Sequence, residues 1–171
     1  MGSKFTLHIV SFFSYVLVQA LILQNVVLFD KAFCLAYVAF LLCLPVDIGI
    51  LMGLLLGFIT GLSVDIFYDT LGMHAFACVF IMFIRSYWLN MITPQGGYDV
   101  GSLPTINLNG WQWMLGYIFP IVFVHHLVLF YIEASSFGLF WFTLSKVILS
   151  TFFTTGVIFI GQYLFYRSRR S

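Results

Sequence analysis

The stretch "GILMGLLLGFITGLSVDIFYDTLGMHAFA", residues 49–77, begins as a run of apolar side chains and then admits two aspartates and a histidine. A helix crossing a bilayer needs about 20 predominantly apolar residues to span a hydrocarbon core about 30 Å thick, and 48–67 meets that length. Inside the run, Gly49, Gly53, Gly57 and Gly61 recur at every fourth position, and the same step continues to Asp65 and Asp69. Residues four apart are neighbours on a helix, so these residues form one gently drifting ridge. Between helices in lipid there is no hydrophobic drive, and small residues let two backbones approach until dispersion holds them. The ridge is therefore expected to pack on protein. An aspartate on its continuation then points at a helix partner or a polar cavity, because a charged Asp at mid-membrane costs roughly 2.5–3.5 kcal/mol on insertion scales. Asp65 and Asp69 fall in the last turns of the run, where that cost is smaller, and Gly72 permits a sharp reversal into the next span.

The rest of the chain agrees with a membrane setting. Its 171 residues are 62% hydrophobic and 8% charged, where a soluble domain carries about 25% charged residues. The mean hydropathy is +1.06. A net charge of +1 excludes the clustered basic surface that nucleic acid requires. The sequence reads as one transmembrane domain over 1–171, an all-α helix bundle, with a polar turn-rich loop at 90–110 that is too short to fold alone. Cys34, Cys43 and Cys78 lie inside apolar runs and read as small buried hydrophobes rather than a disulfide or metal set. The apolar run at the N-terminus continues past Val18-Gln19-Ala20 through Leu23, which favours an uncleaved first span over a signal peptide.

Candidate spans are 5–23, 48–67, 73–91, 111–131 and 139–165, with 26–44 as a sixth. That sixth is interrupted by Asp30-Lys31, and its clean portion, 32–44, has the length of a re-entrant segment. Six spans place Lys4, Arg85, Arg167, Arg169 and Arg170 on the cytoplasmic side, whereas five would divide Lys4 from the C-terminal arginines. The expectation is six spans with both termini cytoplasmic. Trp88, Trp111 and Trp113 then flank the 90–110 loop as an aromatic belt, and Pro94 with Gly96-Gly97 makes that loop a connector or a docking surface for a cytoplasmic partner.

Three readings meet at the aspartates. Asp69 or Thr70 caps the helix that follows; Asp65, one turn deeper, makes a structural polar contact with the start of the next helix at 70–74 or with a neighbouring span; or both join His74 in a catalytic or metal site. The last lacks any known ligand spacing. A second polar group is "HHLVLFYIE", with His125, His126 and Glu133. His126 and Glu133 are seven apart and share a helix face, and Lys146 is a counter-ion within reach. No HExxH pair, nucleophile elbow or phosphate-cradling glycine loop occurs, so no catalytic residue, metal ligand or cofactor site is assigned. Ser150, Thr154 and Gly161 form a further small or polar stripe suited to helix packing.

Gly61-x-x-x-Asp65 followed by Leu71-Gly72-Met73-His74-Ala75, in a chain of this length with a basic C-terminus, resembles MreD, the rod shape-determining membrane protein of bacteria. The resemblance extends over most of the chain, including "HHLVLFYIE" and "ILSTFFTTGVIFIGQYLF". It implies a non-enzymatic component of the cell-elongation machinery in the bacterial cytoplasmic membrane. Such a component would bind MreC and through it link MreB filaments to RodA and a class B penicillin-binding protein in peptidoglycan synthesis. The alternative is the substrate-binding subunit of an energy-coupling-factor type vitamin transporter, also an aromatic-rich bundle of about six spans. Asp65, Asp69, His74 and Glu133 fall at one predicted end, as the convergent polar groups of a pocket would.

Overall fold

The computed structural model describes residues 2–135 and 137–167, and the side chains of 6–135 and 138–164 among them. Among the described residues six α-helices form: α1 (Gly2–Leu21), α2 (Val38–Leu42), α3 (Ile50–Tyr68), α4 (Met73–Met91), α5 (Ile106–Ala134) and α6 (Phe140–Arg167). A small antiparallel hairpin pairs β1 (Val27–Leu28) with β2 (Ala32–Phe33). The architecture is an all-α membrane-helix bundle. Four of the helices, α1, α3, α5 and α6, are long and apolar enough to cross a membrane. α4 matches α3 at 19 residues but carries His74, Arg85 and Asn90, which lower its apolarity.

Six helical spans are not what forms. The 26–44 segment makes only the hairpin, an extended stretch and the five residues of α2. Its turn explains the failure: Phe29 and Asp30 take positive φ values of 53° and 55°, which a right-handed helix cannot accommodate, and Pro45 follows too soon for a new helix to lengthen. Irregular backbone at membrane depth survives only where protein buries it. Residues 34–42 are the most continuously buried stretch of the chain, with Tyr37, Val38, Leu41 and Leu42 fully enclosed.

Helix directions follow from side-chain pairs. Gln19 near the end of α1 donates to the Tyr68 hydroxyl at the end of α3 at 2.7 Å, so these helices are parallel. α4 returns beside α3, with Gly53 near Met82, Gly57 near Cys78 and Gly61 near Ala75. α5 is antiparallel to α4, as the Arg85–Tyr117 and Cys78–His125 pairs show, and α6 to α5, as the Glu133–Lys146 and His126–Thr154 pairs show. α1 therefore starts and α6 finishes at the same end, called here the terminal end; the other is the distal end. Because α1 and α3 are parallel, the chain between them must return through the bundle. It does so inside: Phe33 lies beside Ser150, Leu35 beside Thr154 and Cys43 beside Gln162, progressively further along α6.

At the terminal end the connector is shorter than the expected 90–110, since α4 continues through Met91 and a helical turn at 106–109 precedes Gly110, the kink of α5 at φ 80° and ψ 163°. The connector is tied down by Gly101 N–H to Asp47 Oδ2 at 2.9 Å and by Val46 N–H to the Ser102 carbonyl at 3.1 Å. Trp88 and Trp113 donate their indole N–H groups to the carbonyls of Gly116 and Ile92.

Candidate functional site

The first four N–H groups of a helix have no intrahelical acceptor. α4 begins after Gly72, whose φ of 82° turns the chain but which has no side chain to cap with. Asp65 supplies the cap from the preceding helix. Its Oδ1 accepts from His74 N–H at 3.0 Å and from the Thr70 hydroxyl at 2.5 Å, and its Oδ2 accepts from Ala75 N–H at 2.8 Å. A carboxylate at a helix N-terminus also meets the positive end of the macrodipole, which offsets part of the cost of burying Asp65. One turn earlier, Gly61 lets the helices come this close: a Cβ there would collide with the Ala75 backbone and the His74 carbonyl. Gly61, Asp65, Thr70, Gly72, His74 and Ala75 thus form one clasp joining α3 to α4.

Two expectations for this stretch are corrected. Neither Asp69 nor Thr70 caps α4. Asp69 ends α3 in the left-handed region at φ 53°, its side chain exposed, and Thr70 donates to Asp65 instead. Gly49 does not share the close contact; it precedes α3 with open space where a Cβ would lie, while Gly53 and Gly57 do face α4, with Met82 and Cys78 atoms at 3.0 Å.

The second cluster surrounds the buried return strand, whose backbone cannot satisfy itself. Side chains of α1 and α6 replace the missing ladder. Gln19 donates to the Cys34 carbonyl at 3.0 Å and accepts from Tyr37 N–H at 3.3 Å. Ser150 accepts from Phe33 N–H at 2.9 Å, and Thr154 from Leu35 N–H at 3.0 Å. The Tyr37 hydroxyl then lies between His74 Nδ1 at 2.8 Å and His125 Nε2 at 2.9 Å, joining the return strand to α4 and α5. One hydroxyl hydrogen can serve only one of the two nitrogens, so the other must donate to the hydroxyl oxygen. His125 Nδ1 is buried with no partner, and a bare lone pair there costs less than an orphan N–H. On that ground His125 Nε2–H donates to Tyr37, and Tyr37 donates to His74 Nδ1. His126 stands apart: its Nδ1 lies 2.7 Å from the Val122 carbonyl and its Nε2 3.2 Å from Thr154.

Arg85 closes the return strand toward the terminal end. Its guanidinium, 1% exposed, donates to Tyr117, Leu44 and Pro45 oxygens, and Tyr117 in turn donates to the Leu42 carbonyl. Leu42 is the last residue of α2 and Leu44 and Pro45 lie just beyond it, so Tyr117 satisfies a terminal carbonyl of the helix and Arg85 the carbonyls of the turn that follows. The expectation that Arg85 flanks the membrane on the cytoplasmic side is corrected: it is inside the bundle and does not count toward the orientation. Near the distal end Lys146 pairs with Glu133 at 2.7 Å and lies over the Phe33 and Phe130 rings.

The structure therefore joins Asp65 to His74 through the backbone, His74 to His125 through Tyr37, and His126 to the return strand through Thr154, while Glu133 pairs with Lys146 and Asp69 is exposed. Sequence reading assigned no role to Gln19, Tyr37 or Tyr117. Gln19 carried a signal, a lone amide inside an apolar span; Tyr37 and Tyr117 carried none. Among the described residues no group of three His, Cys, Asp or Glu side chains converges to hold a metal ion. No protein-family model matches the chain, and neither a curated protein nor a solved structure does.

Proposed function

We propose that this chain is a non-enzymatic scaffold of MreD type in the bacterial cytoplasmic membrane, binding MreC and supporting peptidoglycan synthesis with MreB, RodA and a class B penicillin-binding protein. The observation that carries the reading is the clasp. Gly61, Asp65, Gly72, His74 and Ala75, the residues on which the resemblance rests, are separated by up to 14 positions (75 − 61) yet make a single contact of two helices. A motif that folds as one unit supports the resemblance better than scattered matches. A scaffold role is further supported by how the interior polar groups are used: Gln19, Tyr37, Asp65, His74, Ser150 and Thr154 bond one another and the backbone instead of converging on an open pocket. On this reading both termini face the cytoplasm, and the rigid clasp fixes the surface that MreC meets.

The test is co-purification from native membranes with an epitope tag on the chain and mild detergent. Recovery of MreC at comparable abundance is the expected result. Recovery of a stoichiometric vitamin with no elongation protein would overturn the proposal in favour of a small-molecule binding subunit.

A further inference from the structure

Two turns at the distal end carry large apolar side chains where turn chemistry does not ask for them. The hairpin turn Leu28-Phe29-Asp30-Lys31 is closed by Lys31 N–H to the Leu28 carbonyl at 3.1 Å, with positive φ at both central positions. That turn prefers Asn and Gly, and a bulky residue in the left-handed region is an outlier. Phe29 gains nothing from packing, being 85% exposed, and Leu71, in the turn joining α3 to α4, is fully exposed.

Their depth is set by the elements beneath them. Phe33 bonds to Ser150, ten positions along α6 from Phe140 (150 − 140), which is roughly 15 Å of helix. From Phe33 the chain could climb at most roughly 13 Å to Phe29 if it were extended throughout, and it climbs less because Phe29 and Asp30 lie in the turn. The hairpin tip therefore reaches the first turn of α6 and does not rise above it. Lys31 Nζ, 5.4 Å from the Phe142 ring centroid, marks the same level. Likewise α3 and α4, at 19 residues each, are roughly 28 Å long against a hydrocarbon core of about 30 Å, so a helix pair centred in the core brings Leu71 to its boundary. Each tip has polar neighbours suited to headgroups: Asp30 and Lys31 beside Phe29, Asp69 and Thr70 beside Leu71.

We infer that the distal end of the bundle is a lipid-facing surface, with Phe29 and Leu71 inserted into the membrane interface as two apolar anchors. The occupant is the glycerol and upper acyl region of the bilayer, and the strained Phe29 turn is retained because its ring is solvated there by lipid.

Nitroxide labels at Phe29→Cys, Leu71→Cys and, as an aqueous reference, Asp99→Cys test this in vesicles of phosphatidylethanolamine and phosphatidylglycerol. The parent chain, carried through the same labelling reaction, controls for Cys34, Cys43 and Cys78. Collision with a water-soluble nickel complex should fall several-fold at 29 and 71 relative to 99, while collision with oxygen stays high. Nickel access equal to that at 99 would show the tips in water. Loss of both nickel and oxygen access would show them covered by protein. Either result overturns the inference, and neither bears on MreC binding.

Discussion

Asp65 is the residue on which the α3–α4 angle rests. It is 3% exposed and accepts from two backbone N–H groups and a hydroxyl, so truncating it leaves three donors without an acceptor in an apolar setting. Each buried group left unsatisfied costs about 1–3 kcal/mol. Asp65→Ala should therefore lower folded yield and thermal midpoint in detergent strongly, with Asp65→Asn in between, since one amide oxygen still accepts but its NH₂ confronts the remaining N–H groups. Asp69 differs although it lies only four residues on: its side chain is exposed and its backbone is left-handed, a conformation glycine adopts freely. Asp69→Gly should be neutral or slightly stabilising. If the thermal midpoint falls more for Asp69→Gly than for Asp65→Ala, the clasp is not what holds the hairpin.

At the scale of elements, what the sequence discloses is the run and the period. The α3 ridge was legible because small residues at a step of four can serve only a close contact in lipid, and the partner of Asp65 was legible because the turn after Tyr68 brings the next N-terminus back to it. The return strand was not. Nothing in "AFCLAYVAFLLCL" marks Tyr37 as the meeting point of α4 and α5, since its partners His74 and His125 are 37 and 88 positions away. Arg85 misled for a related reason: beside Ser86 and Tyr87 it looks like an interfacial charge, and only the buried carbonyls of Leu44 and Pro45, about 40 positions away in the return segment, show what it does. The glycine ridge gives a graded test. A Cβ at Gly49 meets nothing, at Gly57 it meets Cys78 and Met82 atoms at 3.0 Å, and at Gly61 it meets backbone. Overpacking costs about 1–3 kcal/mol, and more where backbone must move. Alanine should be tolerated at Gly49, lower the melting midpoint at Gly57 and lower it most at Gly61. An equal response at all three would mean that α3 does not pack on α4 through this ridge.

For the whole molecule, the number of times the chain crosses the bundle matters more than the number of spanning helices. Four helices have the apolarity of spans and α4 lies alongside one of them, yet the segment from Ala32 to Val46 also passes from one end to the other. It starts in the hairpin at the distal end, passes Gln19 and Phe12 of α1 in descending order through Tyr37 and Phe40, and ends where Val46 bonds Ser102 in the terminal-end connector. A non-helical crossing is possible because Gln19, Ser150 and Thr154 provide the hydrogen bonds that water cannot supply at that depth. It gives an even number of passages through the bundle without a sixth long helix. The measurable consequence concerns Asp30 and Asp47, the two acidic residues that bracket it. With the termini cytoplasmic, as proposed, a membrane-impermeant thiol reagent should label Asp30→Cys and spare Asp47→Cys in intact cells, and the pattern should reverse in inverted membrane vesicles; whichever way the chain is oriented, the two positions should be labelled from opposite faces. Labelling of both from the same face would mean that the segment dips and returns, which would require α1 and α3 to be antiparallel and contradict the Gln19–Tyr68 bond at 2.7 Å.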